Sequence, residues 1–527
     1  MPGKINSQSF NDPGPPEEVA ERLVNAMSNE QLLAQTFMLG WVGAEPSPLI
    51  MDWIKDRNIG GVKIFGWNTN DTLKLAETVG ILQQNAAKHG LGIPLFMATD
   101  QEGGLVRHVK GATRETPGNM NLGASGRPSD AYWSGYYIGK EMSLLGINMN
   151  FAPLIDLYTN YNSVLISTRS FGSDPVRVGI LGSAFMKGHE AAGIIPTAKH
   201  YPGHGDTELD SHGVLPRIEI SYETLWEREL VPFRMMAKEG VPAIMTGHIA
   251  FPLTQSGETP ASLSRWFIKD ILRDKIRFEG LVITDDLMMY GATTYAGSLS
   301  MTAYRALMAG NDVIMFSQTP TLSSAVWTAL MQRMNNEPEF RSRVRESAYR
   351  IVKTKLEFFK KENSVPLVPD LKKVEAGLQD SEGNAFYLGM AARSVTVVKN
   401  AFPLKRENAE RILLTGQFQE FFNAGRKAFP QARTYRYGSS AAELLSQAAN
   451  ADIVIFCLTD ESGLRLLRNL SGLGKKIIVM SVLTPAHLLS LPWVDGSIAI
   501  YSYAPESFIA GFSAILGNIP AVGKLPF

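Results

Sequence analysis

The amino-acid sequence predicts an α/β protein, a (β/α)8 barrel (TIM barrel) followed by a smaller α/β sandwich domain. Three observations support this fold class. The chain has 527 residues, more than one hydrophobic core usually organises, so two domains are expected. Between about residues 30 and 320, short apolar runs alternate with helical patterns, which is typical of parallel strands connected by helices. Titratable residues recur directly after those apolar runs, as they do at the active-site end of a barrel.

The apolar runs have the length and composition of buried strands, and the stretches between them have helical spacing. Several of those stretches end in glycine just before the next strand, where helices commonly stop. The predicted strands are Gln35–Leu39, Gly61–Phe65, Pro94–Ala98, Ile147–Ala152, Ile194–Lys199, Ala243–Gly247, Leu281–Thr284 and Asp312–Phe316. The predicted helices are Asp71–Lys88, Ser129–Leu145, Pro175–Ala192, Tyr222–Lys238, Leu263–Lys275, Ser298–Met308, Leu322–Asn335 and Arg341–Lys361.

Polar residues follow five different predicted strands, namely Asp100, Asp156, His200, His248 and Asp285. A barrel brings the C-terminal ends of all its strands to one face, so these side chains would all meet there. A doubly wound open sheet is the alternative fold, and it would gather only the residues near its switch point. The distribution of polar residues therefore favours the barrel.

Composition divides the chain into four segments. Residues 1–16 are polar and rich in Pro and Gly, and we expect them to be flexible. Residues 17–362 are predicted to form the barrel, residues 363–384 a charged linker, and residues 385–527 the sandwich domain. The second domain has predicted strands Ser394–Val398, Ile412–Thr415, Ile453–Cys457, Lys476–Ser481 and Gly496–Tyr501. It contains no clustered titratable residues, so we expect it to have a supporting role.

The overall composition argues against several classes of partner. Lys and Arg number 51 and so do Asp and Glu, a balance that argues against nucleic-acid binding and a polybasic membrane anchor. Cys457 is the only cysteine, so no internal disulfide can form. No apolar run approaches the roughly 18 residues that span a bilayer, and no signal-peptide pattern is present. We expect a cytoplasmic protein that acts on a small molecule; the alternative is an exported protein whose signal peptide is absent from this chain.

The segment from Lys199 to His212 is the most informative in the chain. It reads K-H-Y-P-G-H-G-D-T-E-L-D-S-H and contains three of the eight histidines. It follows an apolar predicted strand, and its proline and glycines predict a shaped loop. Asp210 and His212 lie two residues apart, so in extended backbone both side chains point to the same side. A carboxylate there can accept the imidazole N–H, fix its tautomer and raise its basicity.

Other carboxylates also follow predicted strands. Asp285 and Asp286 come directly after Leu281–Thr284, and burial of an unpaired charge is strongly disfavoured. One of the two can cap a helix while the other does chemistry. The segment D-Q-E-G-G begins at Asp100, where glycines allow a tight turn that leaves carboxylates in a cleft. Arg169 could donate a bidentate pair of hydrogen bonds to a ligand.

A metal site is an alternative interpretation of the histidine-rich loop. Imidazole and carboxylate ligands of the kind that suit zinc or manganese could come from His200, His204, Asp206, Asp210 and His212. The sequence has no H-E-x-x-H spacing. We expect no metal and no cofactor, and a metal-dependent hydrolase stays an alternative.

The loop motif resembles the signature of the β-N-acetylglucosaminidase branch of family 3 glycoside hydrolases, which usually reads K-H-F-P-G-H-G-x-T-x-x-D-S-H. Three further segments match in the family's order: D-Q-E-G-G from Asp100, R-S-F from Arg169 and I-T-D-D-L-M-M from Ile283. The C-terminal half is similar to the α/β sandwich of two-domain members, including the G-K-L-P sequence from Gly523. The resemblance implies a TIM barrel that hydrolyses terminal β-linked N-acetylglucosamine from peptidoglycan fragments or chitooligosaccharides.

The resemblance also implies roles for individual residues. Asp285 would be the nucleophile, and His212, held by Asp210, the acid/base. Sugar hydroxyls would bind to Asp100, Arg169, Lys199 and His200. Many members carry arginine eight positions after the aspartate of D-Q-E-G-G. This chain has His108 there and Arg107 just before it, so both are candidates for that contact.

These roles imply a retaining mechanism in two steps. Asp285 attacks the anomeric carbon while His212 protonates the leaving oxygen, and His212 then activates the water that hydrolyses the glycosyl-aspartate. A neutral histidine base also admits an incoming anion, so a glycoside phosphorylase that uses the same residues is an alternative. A non-catalytic sugar-binding protein would need neither residue.

Overall fold

The computed structural model describes residues 9–208, 213–404 and 411–527. Within them the eight predicted strands close into a parallel barrel. Each strand pairs with the next one along the chain, and the last pairs with the first. The strands are β1 (Phe37–Gly40), β2 (Gly61–Lys63), β3 (Phe96–Thr99), β4 (Met149–Asn150), β5 (Ile195–Tyr201), β6 (Ala243–Thr246), β7 (Leu281–Asp286) and β8 (Val313–Phe316). The predicted (β/α)8 barrel is confirmed.

Helices surround the barrel and connect its strands. The longer ones are Pro16–Ala26, Thr72–Ala87, Pro128–Leu144, Pro175–Ala191, Leu230–Lys238, Leu299–Ala309, Ala325–Asn336 and Pro338–Phe359, together with the π-helix Trp266–Lys275. Shorter helical segments are Asn29–Gln35, Pro48–Asp52, Trp53–Arg57, Gly66–Asn68, Asn119–Ser125, Ser167–Arg169, Tyr222–Thr224, Leu225–Glu229, Ala261–Leu263 and Tyr290–Ala296. None of the helices in the described part of the chain has the length and apolar character needed to cross a membrane.

The inside of the barrel is filled by apolar side chains at one end and polar side chains at the other. Met38, Phe96 and Ile283 belong to the apolar cluster inside the barrel. Ile351 and Phe358 of the helix Pro338–Phe359 join the same cluster. Because Phe96 begins β3, this helix packs against the N-terminal end of the barrel. The C-terminal ends of the strands are therefore left to form a polar site, as in other barrels of this type.

The second domain is an α/β sandwich around a six-stranded sheet. Its strands are β9 (Thr396–Lys399), β10 (Ile412–Gly416), β11 (Arg433–Arg436), β12 (Ile453–Leu458), β13 (Lys476–Ser481) and β14 (Gly496–Ala499). Their order in the sheet is β9-β14-β13-β12-β10-β11, with β9 antiparallel to β14 and all other neighbours parallel. Its helical segments are Gln419–Ala428, Ala441–Ala449, Glu461–Arg468, Pro485–Ser490 and Pro505–Leu516. The predicted sandwich is confirmed, with β11 as a strand that the sequence did not predict.

The segment predicted as a linker contains regular structure. The helix Leu371–Gly377 lies within residues 363–384, and the helix Ser381–Ser394 begins there. The second helix joins the two domains, because Arg393 donates from Nε and Nη2 to Asp130 at 3.1 and 2.7 Å.

The second domain also contacts a loop beside the barrel mouth. The Tyr158 hydroxyl lies 2.6 Å from Thr484 Oγ1, and the Phe527 ring packs on Tyr158 and Tyr161 at centroid distances of 5.6 and 4.8 Å. This loop follows β4, so the sandwich domain packs against the chain that leaves the C-terminal end of that barrel strand.

Candidate active site

A cavity of ≈ 300 Å³ lies at the C-terminal end of the barrel. Six of the residues predicted from the sequence line it: Asp100, His108, Arg169, Lys199, His200 and Asp285. These residues come from four separate parts of the chain, and barrel closure brings them together. Asp210 and His212, predicted as the acid/base pair, lie outside the described residues.

Asp100 lies between two lysines at the wall of this cavity. It directly follows β3, and its Oδ1 accepts from Lys199 Nζ at 2.5 Å while its Oδ2 accepts from Lys63 Nζ at 2.6 Å. Burial alone would raise the pKa of Asp100, but Lys199 and Lys63 outweigh it and hold that pKa well below its usual range. The Asp100 side chain stays 17% exposed. It is therefore an ionised acceptor that can bind the hydroxyl groups of a ligand.

Arg169 and Lys199 share a second carboxylate, Glu102. Arg169 donates from Nε and Nη2 to Glu102 at 2.9 and 2.7 Å, and Lys199 Nζ lies 2.6 Å from Glu102 Oε1. Burial would raise the pKa of Glu102, but Arg169 and Lys199 lower it to about 2. The bidentate pair of hydrogen bonds that we predicted from Arg169 to a ligand goes to Glu102 instead. A direct contact between Arg169 and a sugar stays a prediction.

His200 is oriented by Asp156, which follows β4. The Asp156 carboxylate lies 2.7 Å from His200 Nδ1 and accepts from the backbone N–H groups of His200 and His204. Burial would raise the pKa of Asp156, but His200 lowers it. Asp156 is thus an ionised acceptor, and Nδ1 of His200 carries the hydrogen that it binds. Sequence reasoning predicted no role for Asp156 beyond its place after a strand.

Asp285 lies partly buried in the cavity wall at the end of β7. Its Oδ1 accepts from the Asp286 N–H at 2.8 Å. Burial would raise the pKa of Asp285, but the fields of His200 and His248 and this backbone hydrogen bond together lower it. A carboxylate that is ionised and faces a ligand cavity has the properties of a nucleophile.

Asp286 also borders the cavity, but backbone N–H groups occupy its carboxylate. Its Oδ1 accepts from the N–H groups of Met288 and Ser317, each at 3.0 Å. Its carbonyl oxygen lies 2.9 Å from His248 Nε2. Burial raises the pKa of Asp286. Of the two adjacent aspartates, the second forms the turn that holds the first in place.

Of the two candidates beside the D-Q-E-G-G segment, only His108 lines the cavity. Arg107 belongs to a short hairpin formed by Gln101–Gly103 and Val106–Arg107, and it donates from Nη2 to the Thr113 carbonyl at 2.7 Å. His108 Nδ1 lies 3.3 Å from Lys63 Nζ. Burial and the charge of Lys63 lower the pKa of His108 to about 4. His108 is therefore a neutral acceptor at neutral pH.

The sequence did not reveal two charged residues of this site. Lys63 lies within the predicted apolar strand Gly61–Phe65, where one charged residue interrupts an otherwise buried run. Glu102 belongs to the D-Q-E-G-G segment, but the residues next to it in the sequence do not indicate that it pairs with Arg169. A lone charge inside a buried strand is the signal that could have identified Lys63, because such a charge requires a partner.

Glu229 is a buried carboxylate whose charged neighbours, Arg228 and Asp206, are partly exposed. Its Oε1 accepts from Arg228 Nε at 2.7 Å, and Arg228 Nη2 also donates to Asp206 at 2.5 Å. Gly203 passes close above it with a φ of 132°, and a Cβ on Gly203 would lie 2.9 Å from Glu229 Cβ. Burial raises the pKa of Glu229 to about 7.

This shift predicts a pH dependence of stability. Because the folded-state pKa of Glu229 is raised from 4.5 to about 7, the folded protein binds more protons than the unfolded chain in that range. The contribution of Glu229 to the free energy of unfolding is therefore full below pH 4.5 and is lost as the pH rises through 7. The change amounts to about 3 kcal/mol. Glu229→Gln should remove this fall in the free energy of unfolding, as measured by urea titration at several pH values. The control is Glu227→Gln, which changes an exposed neighbour and should leave the pH dependence of the free energy of unfolding as in the wild type. An equal pH dependence in all three proteins would contradict the prediction.

No group of three His, Cys, Asp or Glu side chains within the described ranges is arranged to hold a metal ion. His200, His204 and Asp206 of the alternative metal site are described. The other two candidate ligands, Asp210 and His212, are not.

Comparison with known proteins agrees with this geometry. The family described as "Glycosyl hydrolase family 3 N terminal domain" matches residues 30–354. The chain belongs to glycosyl hydrolase family 3. It is therefore a glycoside hydrolase, and the resemblance noted from its motifs is confirmed.

The curated relatives of this family 3 enzyme include bacterial β-hexosaminidases. The enzyme is 35% identical over 308 residues to "Beta-hexosaminidase" of Tolumonas auensis, which covers 58% of this chain and 88% of the relative. It is 36% identical over 282 residues to "Beta-hexosaminidase A" of Pseudoalteromonas piscicida, covering 50% of this chain and 47% of the relative. The chain thus spans about half the length of the latter protein.

Among solved structures, the enzyme is similar to a glycoside hydrolase family 3 β-N-acetylglucosaminidase from Paenibacillus sp. str. FPU-7. The TM-score is 0.86 at 28% sequence identity, and the match covers 95% of this chain and 99% of the other. The similarity extends over both domains, so the barrel followed by a sandwich is an arrangement found in this family.

Proposed function

We propose that this family 3 enzyme is a retaining exo-β-N-acetylglucosaminidase. It removes terminal β-linked N-acetylglucosamine from peptidoglycan fragments, such as those produced in peptidoglycan recycling, or from chitooligosaccharides. The reaction passes through a glycosyl-Asp285 intermediate. His212 serves as the acid and then the base, and Asp210 stabilises its protonated form.

The observation that carries this proposal is the state of Asp285. Its carboxylate is held at the cavity wall by the Asp286 N–H, and His200 and His248 keep its pKa low. An ionised carboxylate is what the attack on an anomeric carbon requires. Asp100 lines the same cavity as a charged acceptor for sugar hydroxyls.

Support for the sugar comes from the relatives, which are named β-hexosaminidases or β-N-acetylglucosaminidase. Support for the acid/base comes from the loop signature that contains Asp210 and His212. An imidazole with an unperturbed pKa near 6.5 holds a proton near neutral pH, and an adjacent carboxylate favours the charged form.

A panel of p-nitrophenyl glycosides tests the proposal. We expect the highest kcat/KM on the β-N-acetylglucosaminide and much lower values on the β-glucoside and β-xyloside. The initial product should be the β-anomer of the free sugar, as NMR of the early reaction would show, because two displacements restore the starting configuration. A preference for another sugar would overturn the assignment of substrate, and an α-anomer would overturn the mechanism.

Two additions to the same assay separate the alternatives. Turnover that requires inorganic phosphate and yields a sugar phosphate would indicate a phosphorylase. Loss of turnover on dialysis against EDTA, restored by a divalent cation, would indicate a metal-dependent hydrolase. The proposal expects neither effect.

A further inference from the structure

We propose that Lys63 is a positioning residue that holds Asp100 for sugar binding, in place of the arginine that many family members carry at the position of His108. The proposal rests on the proposed function in so far as Asp100 binds the substrate. In this chain the positive charge beside Asp100 comes from Lys63 at the end of β2, and the position after the Val106–Arg107 hairpin strand holds the neutral ring of His108.

The buried ammonium group of Lys63 has an acceptor for each of its hydrogens. Lys63 is the last residue of β2, and its side chain is 1% exposed. Its Nζ lies 2.6 Å from Asp100 Oδ2, 3.0 Å from the Ile64 carbonyl oxygen and 3.3 Å from His108 Nδ1. An ammonium group has three hydrogens to donate, so three acceptors satisfy it. The Phe65 ring, 4.5 Å from Nζ, adds a cation–π contact.

The position of His108 explains why this chain needs the lysine. Burial and the charge of Lys63 lower the pKa of His108 to about 4, so the ring at this position brings no positive charge at neutral pH. Asp100 then faces Lys63 from β2, Lys199 from β5 and the neutral ring of His108. Lys199 is shared with Glu102. Without Lys63, Asp100 would keep only this shared cation.

The two arrangements should exclude each other. An arginine at position 108 would bring a second positive charge beside Lys63, and like charges at such short distances repel strongly in a buried site. A neutral residue at position 63 together with histidine at position 108 would leave the negative charge of Asp100 with too little positive charge nearby. Each single exchange should therefore be harmful, and the double exchange should be tolerated.

The test is a double-mutant cycle with Lys63→Met, His108→Arg and the double variant. Activity is measured on whichever p-nitrophenyl glycoside the wild type turns over fastest. We expect each single variant to lose at least tenfold in kcat/KM, mainly through KM. The double variant should return to within about threefold of wild type. Losses that multiply in the double variant would overturn the proposal.

The pH profile provides a readout that a purely structural role would not change. Removing Lys63 takes away one of the charges that lower the pKa of Asp100. If ionised Asp100 binds the sugar, the acidic limb of kcat/KM should move to higher pH in Lys63→Met and move back in the double variant. An unchanged acidic limb in Lys63→Met would overturn the role in substrate binding.

Lys355→Met is the matched control, because it removes another fully buried lysine from the same barrel. Lys355 Nζ lies 3.0 Å from Gln35 Oε1, before β1 and thus at the end of the barrel away from the cavity. Its exchange should affect the unfolding midpoint without moving the acidic limb.

Thermal unfolding of the same variants separates this proposal from the proposed function. The unfolding midpoint should fall in both single variants and recover in the double variant, whether or not any glycoside is hydrolysed. If the wild type preferred another sugar or hydrolysed none, the proposed function would fail while this pattern still tested the pairing. A midpoint that fell further in the double variant would overturn the exchange of cations.

Discussion

Asp285→Ala should lower kcat/KM on every glycoside by several orders of magnitude, which is the usual scale for an essential catalytic group. Every substrate needs the Asp285 carboxylate in the step that expels its leaving group, so activated and unactivated substrates should both be affected. Steady-state kinetics on a p-nitrophenyl glycoside and a disaccharide would measure this. Azide should enter the space of the lost carboxylate and attack from the same face, yielding the α-glycosyl azide from an activated substrate.

Asp286→Asn is the control beside it. Asparagine keeps an oxygen that can accept from the N–H groups of Met288 and Ser317, so the turn should survive and most of the activity should remain. If Asp286→Asn lost as much activity as Asp285→Ala, or if Asp285→Ala kept activity near wild type, Asp285 would not be the nucleophile.

The barrel could be predicted because its strands are buried on both sides. Such strands appear in the sequence as continuous apolar runs between helical patterns, and all eight occur where the sequence placed them. The strand Arg433–Arg436 could not be found this way. It forms the edge of the second sheet, its four side chains are exposed or half-buried, and an exposed edge requires no apolar run.

Only part of the site could be predicted from sequence. Motifs identified residues next to one another in the chain, such as Asp285 and Asp286. The ion pairs that determine their charge join distant segments: Arg169 and Glu102 are 67 residues apart. Local sequence does not contain that pairing, because it exists only once the barrel has closed. For that reason the sequence alone suggests a ligand, and not Glu102, as the acceptor of the two hydrogen bonds from Arg169.

His212→Ala should affect substrates according to their leaving groups. A dinitrophenyl glycoside needs no proton on its leaving oxygen, so the glycosyl-enzyme should still form. Its hydrolysis should be slow because no base activates water. Steady-state turnover should therefore be limited by the second step, and mass spectrometry of acid-quenched enzyme should find the sugar on the peptide that contains Asp285. An unactivated disaccharide should lose far more, because its first step also needs the acid.

Azide distinguishes this role from a structural one. It needs no deprotonation, so it should attack the glycosyl-Asp285 intermediate in His212→Ala, restore part of the rate and yield the β-glycosyl azide. This product has the opposite configuration to the one expected from Asp285→Ala. The Asp285 carboxylate is present in His212→Ala and forms the intermediate that azide attacks, whereas in Asp285→Ala it is absent and azide takes its place. Asp210→Ala should change activity in the same direction as His212→Ala, with the alkaline limb of the pH profile moved to lower pH because the imidazolium loses its partner. If His212→Ala lost no more activity on the disaccharide than on the dinitrophenyl glycoside, the proton would have to come from another residue.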